Sequence, residues 1–389
     1  MRIARTGLPV EEALPALRLA LRDAGRAVLT APPGAGKTTL VPLALLDEAW
    51  VAGKIVMLEP RRLAARAAAE RMASLLGERT GETVGFRIRG EAKVSAATRI
   101  EVVTEGILTR MLQSDPELPG VSAVIFDEFH ERSLNAELGL ALCWEARGGL
   151  REDLRIVVMS ATLDAVPVAA LMDDAPIISS DGRAFPVETR WLDAPWKAGA
   201  RWIEDATASL VRRAMDEATG DALVFLPGVG EIERVRRALA GVDAQVHALH
   251  GAMPFKDQRA ALAPAKRRKI VLATAIAETS LTVEGVRIVV DAGLARRARF
   301  DAGSGMSRLV TDRASKAEAD QRRGRAGRVA PGVCYRLWTK GEEGAMAGFA
   351  PPEIEVADLA PLALELANWG AEAADLAFLT PPPEGTLAE

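Results

Sequence analysis

Short apolar runs that alternate with Ala/Leu-rich stretches constrain the fold of this chain more than any other feature of its sequence. Each run ends in a polar or glycine-containing turn, as residues 55–60 do before the helical pattern at 61–76. Strands buried on both faces are continuously apolar, and strands that alternate with helices pair in parallel. The pattern therefore predicts an α/β fold with parallel sheets covered by helices.

The alternation pauses at residues 180–191 and then restarts, which predicts two domains. The 389 residues exceed one ordinary core and suit two domains of roughly 150–200 residues each. We place the first domain at residues 1–185 and the second at 186–347. Residues 348–389 are rich in Ala, Leu and Pro and predict helices of a third, incomplete unit. The turn at 301–306 lies between two alternating runs and predicts a β-hairpin.

Composition indicates a soluble protein, with 49% hydrophobic and 26% charged residues. No apolar run approaches the ~20 residues that span a bilayer, and the first residues lack the apolar core of a signal peptide. Cys143 and Cys334 lie far apart in apolar stretches, which predicts buried free thiols and fits the reducing cytoplasm. His130, His247 and His250 form no metal-ligand cluster with cysteine partners.

Residues 31–39 read Ala-Pro-Pro-Gly-Ala-Gly-Lys-Thr-Thr and predict a phosphate-binding loop. Glycine backbone can turn its N–H groups inward, and the helix that follows presents its N-terminus to the same anion. Lys37 would neutralise the β- and γ-phosphates, and the Thr38 hydroxyl would ligate Mg²⁺. An incidental Gly-rich turn is the alternative, which the strand before and the helix after disfavour. The predicted nucleotide contacts in this loop are Pro33, Gly34, Ala35, Gly36, Lys37, Thr38 and Thr39.

A second segment, Asp127-Glu128-Phe129-His130, ends an apolar strand. Acidic pairs at strand ends are usually only solvated, but this one follows a phosphate loop at the expected distance. We predict that Asp127 binds Mg²⁺ and that Glu128, also near the metal, orients and deprotonates the attacking water. His130 is predicted to belong to the same nucleotide site.

The third segment, residues 321–328, carries four arginines. It could be a simple basic patch. If the whole segment is helical, Gln321, Arg325 and Arg328 share one face. Arg325 and Arg328 could then act as arginine fingers on the γ-phosphate, with Gln321 near the attacking water, because guanidinium is permanently charged and bidentate.

The net charge of −4 and the pI of about 5.7 argue mildly against a nucleic-acid partner. A groove that follows a strand needs only local positive charge, and several Arg-dense stretches could supply it. Each of these stretches could equally be a solvated face.

These three segments together resemble the superfamily 2 helicases, and the remaining motifs are similar to those of the DEAH/RHA branch, in particular its bacterial HrpB-type members. The resemblance runs from about residue 25 to 385, and the further matching segments are 59–62, 104–106, 160–162, 225–228, 249–251 and 274–282. It implies two tandem RecA-like domains followed by the start of a winged-helix-like domain. It also implies ATP and Mg²⁺ as cofactors and single-stranded RNA as the partner.

The resemblance further implies contact residues outside the phosphate site. Contacts to the nucleic-acid backbone correspond to Arg62, Arg89, Thr104, Gly251 and Thr274. Contacts to the adenine and ribose correspond to Arg71, Thr282 and Glu284. Ser160 and Thr162 would couple the ATP state to domain movement, and the hairpin at 295–309 would steer strands.

Three positions depart from the family pattern: Ala275 replaces Asn, Glu284 replaces Asp, and Leu262 replaces an adenine-stacking aromatic residue. Family members usually continue well beyond this length, so we expect a portion of a longer, monomeric protein. We predict an ATP-dependent RNA helicase or translocase. The alternatives are a DNA translocase of the same fold, a nucleotide-gated scaffold with weak ATPase activity, and a fragment that hydrolyses ATP without unwinding.

Overall fold

The computed structural model describes residues 6–161, 165–182, 185–196, 202–278, 283–301, 303–383 and 385. The chain divides into two compact units, residues 1–183 with 351–389, and residues 184–350. The segment after residue 350 therefore packs with the first unit. Over the described residues, no helix has both the length and the apolar character that crossing a membrane requires.

The first unit is built on an eight-stranded sheet with the order β4-β3-β5-β2-β6-β7-β1-β8. Its strands are β1 (Arg26–Thr30), β2 (Lys54–Glu59), β3 (Val84–Ile88), β4 (Glu91–Lys93), β5 (Ile100–Thr104), β6 (Val121–Phe126), β7 (Arg155–Ser160) and β8 (Ile177–Ser179). Only β4 runs antiparallel to its neighbour, through a turn at Arg89 and Gly90. The predicted parallel sheet is confirmed.

Helices cover both faces of this sheet. They are α1 (Leu14–Asp23), α2 (Lys37–Leu45), α3 (Arg62–Leu76), α4 (Glu105–Ser114), α5 (Leu134–Gly149) and α6 (Ala165–Leu171). One apolar cluster packs α1, α2 and α3 against residues such as Met57 and Ile125. A second cluster packs α4, α5 and α6 against the opposite face, through residues such as Leu58 and Phe126. The alternation of the two faces along each strand explains this division.

The C-terminal segment adds α12 (Glu353–Val356) and α13 (Ala360–Trp369) to the first unit. Leu362 and Leu366 of α13 join the apolar cluster of α4 and α5. Side chains also connect them, since the Trp369 indole donates to Glu145 at 2.6 Å and the Gln113 amide donates to the Glu365 carbonyl at 2.8 Å.

The second unit contains a parallel six-stranded sheet with the order β11-β12-β10-β13-β16-β9. Its strands are β9 (Val187–Arg190), β10 (Asp221–Phe225), β11 (Gln245–Leu249), β12 (Lys269–Ala273), β13 (Val286–Asp291) and β16 (Gly332–Arg336). Its helices are α7 (Ile203–Glu217), α8 (Val229–Ala238), α9 (Phe255–Leu262), α10 (Lys316–Gly324) and α11 (Lys340–Gly344). A hairpin of β14 (Leu294–Asp301) and β15 (Met306–Arg313) follows β13, as predicted.

Both cysteines are buried free thiols, as the sequence predicted. Cys143 lies in α5 and Cys334 in β16. Burial raises the pKa of both thiols and keeps them protonated.

Candidate nucleotide-binding site

The loop between β1 and α2 has the backbone that phosphate binding requires. Gly34 and Gly36 adopt left-handed φ values of 85° and 92°, which side chains with a Cβ rarely adopt. A Cβ on Gly36 would also stand 2.8 Å from the Leu8 side chain. The loop is tied down because the Val10 amide donates to the Ala35 carbonyl at 3.1 Å. The loop therefore has a fixed backbone, and the N-terminus of α2 that follows it can bind an anion.

The first turn of α2 contacts the acidic segment that follows β6. The Thr38 hydroxyl donates to Asp127 Oδ2 at 2.5 Å, and Lys37 Nζ lies 3.3 Å from Glu128 Oε1. Both Lys37 and Glu128 are buried, with 4% and 6% of their surface exposed. Residues that are 89 and 91 positions apart in sequence thus form one polar cluster.

A third carboxyl group, that of Glu59 at the end of β2, lies in the same buried cluster. Burial and the charges of Asp127 and Glu128 raise the pKa of Glu59 well above its usual value. Burial also raises the pKa of Asp127 to about 6, although Lys37 opposes the shift. Burial disfavours the charge on Lys37, but Glu128 and Asp127 outweigh it and raise the Lys37 pKa. The cluster therefore favours additional positive charge.

These residues fit a Mg²⁺ ion. A hydroxyl and a carboxylate, from Thr38 and Asp127, already point at each other, and both Glu59 oxygens are buried without a hydrogen-bond donor among the described residues. Within that same part of the chain, no group of three His, Cys, Asp or Glu side chains is arranged to hold a metal ion directly. Mg²⁺ commonly takes only one or two protein ligands and keeps several waters, so the donor set suits it.

Glu128 and His130 connect this cluster to the end of β7. Glu128 adopts a left-handed backbone with φ of 53°, a strained conformation for a residue with a side chain. His130 Nε2 lies 3.4 Å from Glu128 Oε2, and His130 Nδ1 accepts from the Ala161 amide at 3.3 Å. Burial lowers the His130 pKa, so the imidazole is neutral. Ala161 follows the buried Ser160, and the predicted partner Thr162 lies outside the described residues.

The arginine-rich segment of the second unit is helical, but not as one continuous α-helix. The helix α10 ends at Gly324, and Arg325–Gly327 continue as a 3-10 turn. Arg325 and Arg328, three positions apart, still lie on one side of this turn, because side chains at i and i+3 eclipse in 3-10 geometry. Arg325 is buried and its Nε donates to the Glu278 carbonyl at 2.9 Å.

The residue that the sequence did not single out, Arg322, forms the centre of this segment. Its guanidinium donates to Glu278 Oε1 at 2.7 Å and to Asp291 Oδ1 at 2.8 Å, and it lies over the Phe225 ring at 5.4 Å. Only 2% of Arg322 is exposed. Arg322 thus holds the side chain of Glu278, the same residue whose carbonyl accepts from Arg325.

The predicted nucleic-acid contacts lie at strand ends and turns. Arg89 is exposed at the turn between β3 and β4, and Arg62 is exposed at the start of α3. Thr104 ends β5 and precedes α4, and Thr274 follows β12. Gly251 lies in an exposed turn after β11.

Of the predicted adenine and ribose contacts, Arg71 is exposed on α3 and Glu284 is exposed before β13. Thr282 lies outside the described residues.

Glu105 is another carboxyl group, partly buried, that sequence reasoning missed. It begins α4 directly after Thr104 and accepts from the Ser133 hydroxyl at 2.7 Å, while Ser133 caps α5. Burial, with the charges of Glu131 and Glu353, raises the Glu105 pKa to about 7. A Thr-Glu-Gly segment gives no sign of these surroundings, because α5 and Glu353 come from distant parts of the sequence.

The Glu105→Gln substitution should stabilise the protein at neutral and alkaline pH. Between pH 4.5 and about 7 the folded Glu105 holds a proton that the unfolded state has lost, so wild-type stability falls as pH rises through this range. Gln stays neutral and can still accept from Ser133. We expect a gain of about 2 kcal/mol above pH 7 and little difference in acid. Urea unfolding across this range measures it, and a difference that does not change with pH would contradict it.

Comparison with known proteins agrees with this site. Residues 11–170 match the family model of the DEAD/DEAH box helicases, and residues 205–330 match the helicase conserved C-terminal domain. The chain is 50% identical over 384 residues to the ATP-dependent RNA helicase HrpB of Escherichia coli K12, covering 97% of this chain and 47% of that protein. It is 34% identical over 399 residues to the probable ATP-dependent RNA helicase DHX34 of Mus musculus, covering 98% of this chain and 35% of that protein.

Solved structures show the same likeness. A crystal structure of the Escherichia coli DEAH/RHA helicase HrpB superposes with a TM-score of 0.92 at 49% identity, covering 98% of this chain and 49% of that one. A second, of the E. coli DExH-box NTPase HrpB, gives a TM-score of 0.87 at 49% identity and covers 48% of that chain. The chain thus spans about half the length of HrpB. On these matches and on its own motifs, the chain belongs to the DEAH/RHA helicases of the DEAD/DEAH box family.

Proposed function

We propose that this chain carries the motor of an ATP-dependent RNA helicase, in which hydrolysis of Mg²⁺-bound ATP drives movement along a single strand. The observation that carries the proposal is the buried cluster in which Thr38 meets Asp127 and Lys37 meets Glu128. A phosphate loop and an acidic strand end in direct contact are the parts that phosphoryl transfer needs.

The residues of this cluster have separate tasks. The loop from Pro33 to Thr39 holds the phosphates with its backbone amides, and the Lys37 ammonium neutralises their charge. Glu128 orients the attacking water and accepts its proton. Thr38 and Asp127 would hold Mg²⁺, which supplies charge stabilisation to the transferred phosphoryl group. His130 links Glu128 to the segment after β7, so we propose that Ser160 and Thr162 respond to the nucleotide state through it.

We also propose roles in hydrolysis for residues of the second unit. Arg325 and Arg328 would stabilise the charge on the transferred phosphoryl group, and Gln321 would assist the water. Arg71, Thr282 and Glu284 would contact the adenosine. In this structure Arg325 donates to the Glu278 carbonyl. To act as an arginine finger, it would have to exchange this carbonyl for a phosphate oxygen.

The test of the proposal is hydrolysis with and without single-stranded RNA. Wild-type protein should release phosphate from ATP faster when RNA is present, and Glu128→Gln should abolish the release. Lack of hydrolysis under every condition would favour the nucleotide-gated scaffold. Competition between RNA and DNA strands of equal sequence separates the RNA motor from the DNA translocase, because only RNA offers a 2′-hydroxyl.

Arg89→Ala should weaken binding of single-stranded RNA by a similar factor for every sequence. Arg89 is exposed at a hairpin turn, and we propose that it pairs with a phosphate. Loss of one phosphate contact makes the negative slope of log affinity against log salt concentration shallower by about 1. Arg79→Ala is the matched control, since Arg79 is exposed in the same unit outside the motifs. Equal effects of the two substitutions on the salt slope would refute the role of Arg89.

A further inference from the structure

The carboxyl group of Glu59 has no function in the mechanism described so far, although the fold buries it completely. Its exposed fraction is 0%. In the part of the chain that the structure describes, neither of its oxygens accepts a hydrogen bond from an N–H or hydroxyl group, and the Asp127 carboxyl lies within hydrogen-bond reach of it. A buried polar group without a partner costs about 1–3 kcal/mol, and more if it is charged. A feature this unfavourable indicates that something else pairs with Glu59 in the working protein.

The position of Glu59 in the sheet shows what surrounds it. The Asp127 amide donates to the Leu58 carbonyl at 3.1 Å, so the ends of β2 and β6 lie side by side. Met57 and Ile125 both face the cluster that contains α2. Because side chains alternate along a strand, Glu59 and Asp127 project to that same face, toward the start of α2.

Acidic groups are concentrated in this place. Three carboxyl groups, those of Glu59, Asp127 and Glu128, lie near the Lys37 ammonium, which contacts Glu128. When Glu59 and Asp127 are ionised they add two negative charges, and a divalent cation would compensate both.

The contact between Glu59 and such a cation fits a bridging water better than a direct bond. No three acidic or histidine side chains among the described residues are arranged to ligate a metal together. Mg²⁺ keeps several waters, and each bound water is a strong hydrogen-bond donor. Donors are what the two Glu59 oxygens lack within the described part of the chain.

We propose that Glu59 is a positioning residue of the magnesium site, which accepts hydrogen bonds from metal-bound water beside Asp127. This inference rests on the proposed function, because it assumes that a hydrated Mg²⁺ enters with the nucleotide. It would add an outer carboxylate to Thr38 and Asp127, the residues that would hold the ion. Groups of this kind orient the inner ligands and change metal affinity about 10–100-fold when removed.

The Glu59→Gln substitution tests the proposal because it keeps the shape and removes the charge. We expect the affinity for ADP in EDTA to be unchanged or higher. The Mg²⁺ concentration that gives half of the metal-dependent gain in ADP affinity should rise about 10–100-fold. Electron paramagnetic resonance of Mn²⁺ with ADP should show the same loss of metal affinity. Glu59→Asp, which keeps the charge, should recover part of it.

The melting temperature of the metal-free protein is a second measurement. A merely structural role of Glu59 would change it in the opposite direction. Replacement of a buried carboxyl group beside Asp127 and Glu128 by a neutral amide should raise the melting temperature of the metal-free protein, whereas loss of a structural contact would lower it. Glu101→Gln is the matched control. Glu101 is also buried in the sheet, but it pairs with Lys54 and Arg87 at 3.2 and 2.7 Å. This control should lower the melting temperature and leave the metal dependence unchanged.

Two results would overturn the proposal: an unchanged Mg²⁺ dependence in Glu59→Gln, or a lower melting temperature of that variant without metal. Failure of the proposed function looks different, since wild-type protein would then show no Mg²⁺-dependent nucleotide binding at all.

Discussion

Glu128→Gln should lower the rate of ATP hydrolysis about 10²–10⁴-fold, the usual contribution of a general base. The amide introduced by this substitution would keep the shape of the side chain and a polar atom near Lys37 Nζ, which lies 3.3 Å from the Glu128 carboxylate. It could not accept the proton of the attacking water. Binding of Mg²⁺-ATP should remain within about ten-fold of wild type, because the phosphate loop, Lys37 and Thr38 are intact. Phosphate release and nucleotide titration measure the two quantities separately.

Glu131→Gln is the control for this experiment. Glu131 ends the 3-10 turn that begins directly after Glu128, and it pairs with Arg61 at 3.1 Å. A partly exposed ion pair contributes little, so hydrolysis should remain near the wild-type rate. If Glu128→Gln retained more than about a tenth of wild-type hydrolysis, Glu128 would not be the base that the general-base mechanism requires.

Arg322→Met should destabilise the second unit by about 3–5 kcal/mol, the usual effect of removing one partner from a buried ion pair. Glu278 and Asp291 would be left without their shared counter-charge, and Asp291 has an exposed fraction of 0%. The charges of these two carboxylates outweigh burial and raise the Arg322 pKa, so the guanidinium is charged. Urea unfolding followed by tryptophan fluorescence measures the loss.

Two further variants show whether this loss comes from unpaired charge. Arg323→Met should cost less than about 1 kcal/mol, because Arg323 is partly exposed and lies 3.4 Å from the exposed Asp320. Adding Asp291→Asn and Glu278→Gln to Arg322→Met should restore part of the stability. Equal losses for Arg322→Met and Arg323→Met would refute the assignment of Arg322 as the buried centre of this segment.

The sequence by itself predicted the α/β class, the two parallel sheets, the phosphate loop and the acidic strand end. These features depend on local patterns. Continuous apolar runs specify buried strands, and Gly34 and Gly36 specify a loop that only glycine forms easily. The strand before this loop and the helix after it then determine that the loop presents its backbone N–H groups and the helix N-terminus to an anion. Such features can be predicted without knowledge of distant residues, because each pattern is contained within about ten residues.

The tertiary structure alone decided which polar side chains are buried and what they contact. In the sequence Glu59 is simply the polar residue at the end of a strand, and only its position beside Asp127 and α2 makes it a completely buried acid. The segment 321–328 offers four arginines, and Arg322 is buried because Glu278 and Asp291, 44 and 31 residues away, meet it there. The segment after residue 350 packs with the first unit through Leu362 and Leu366. Periodicity reveals which face of an element is apolar, but the segment that covers that face comes from elsewhere in the chain.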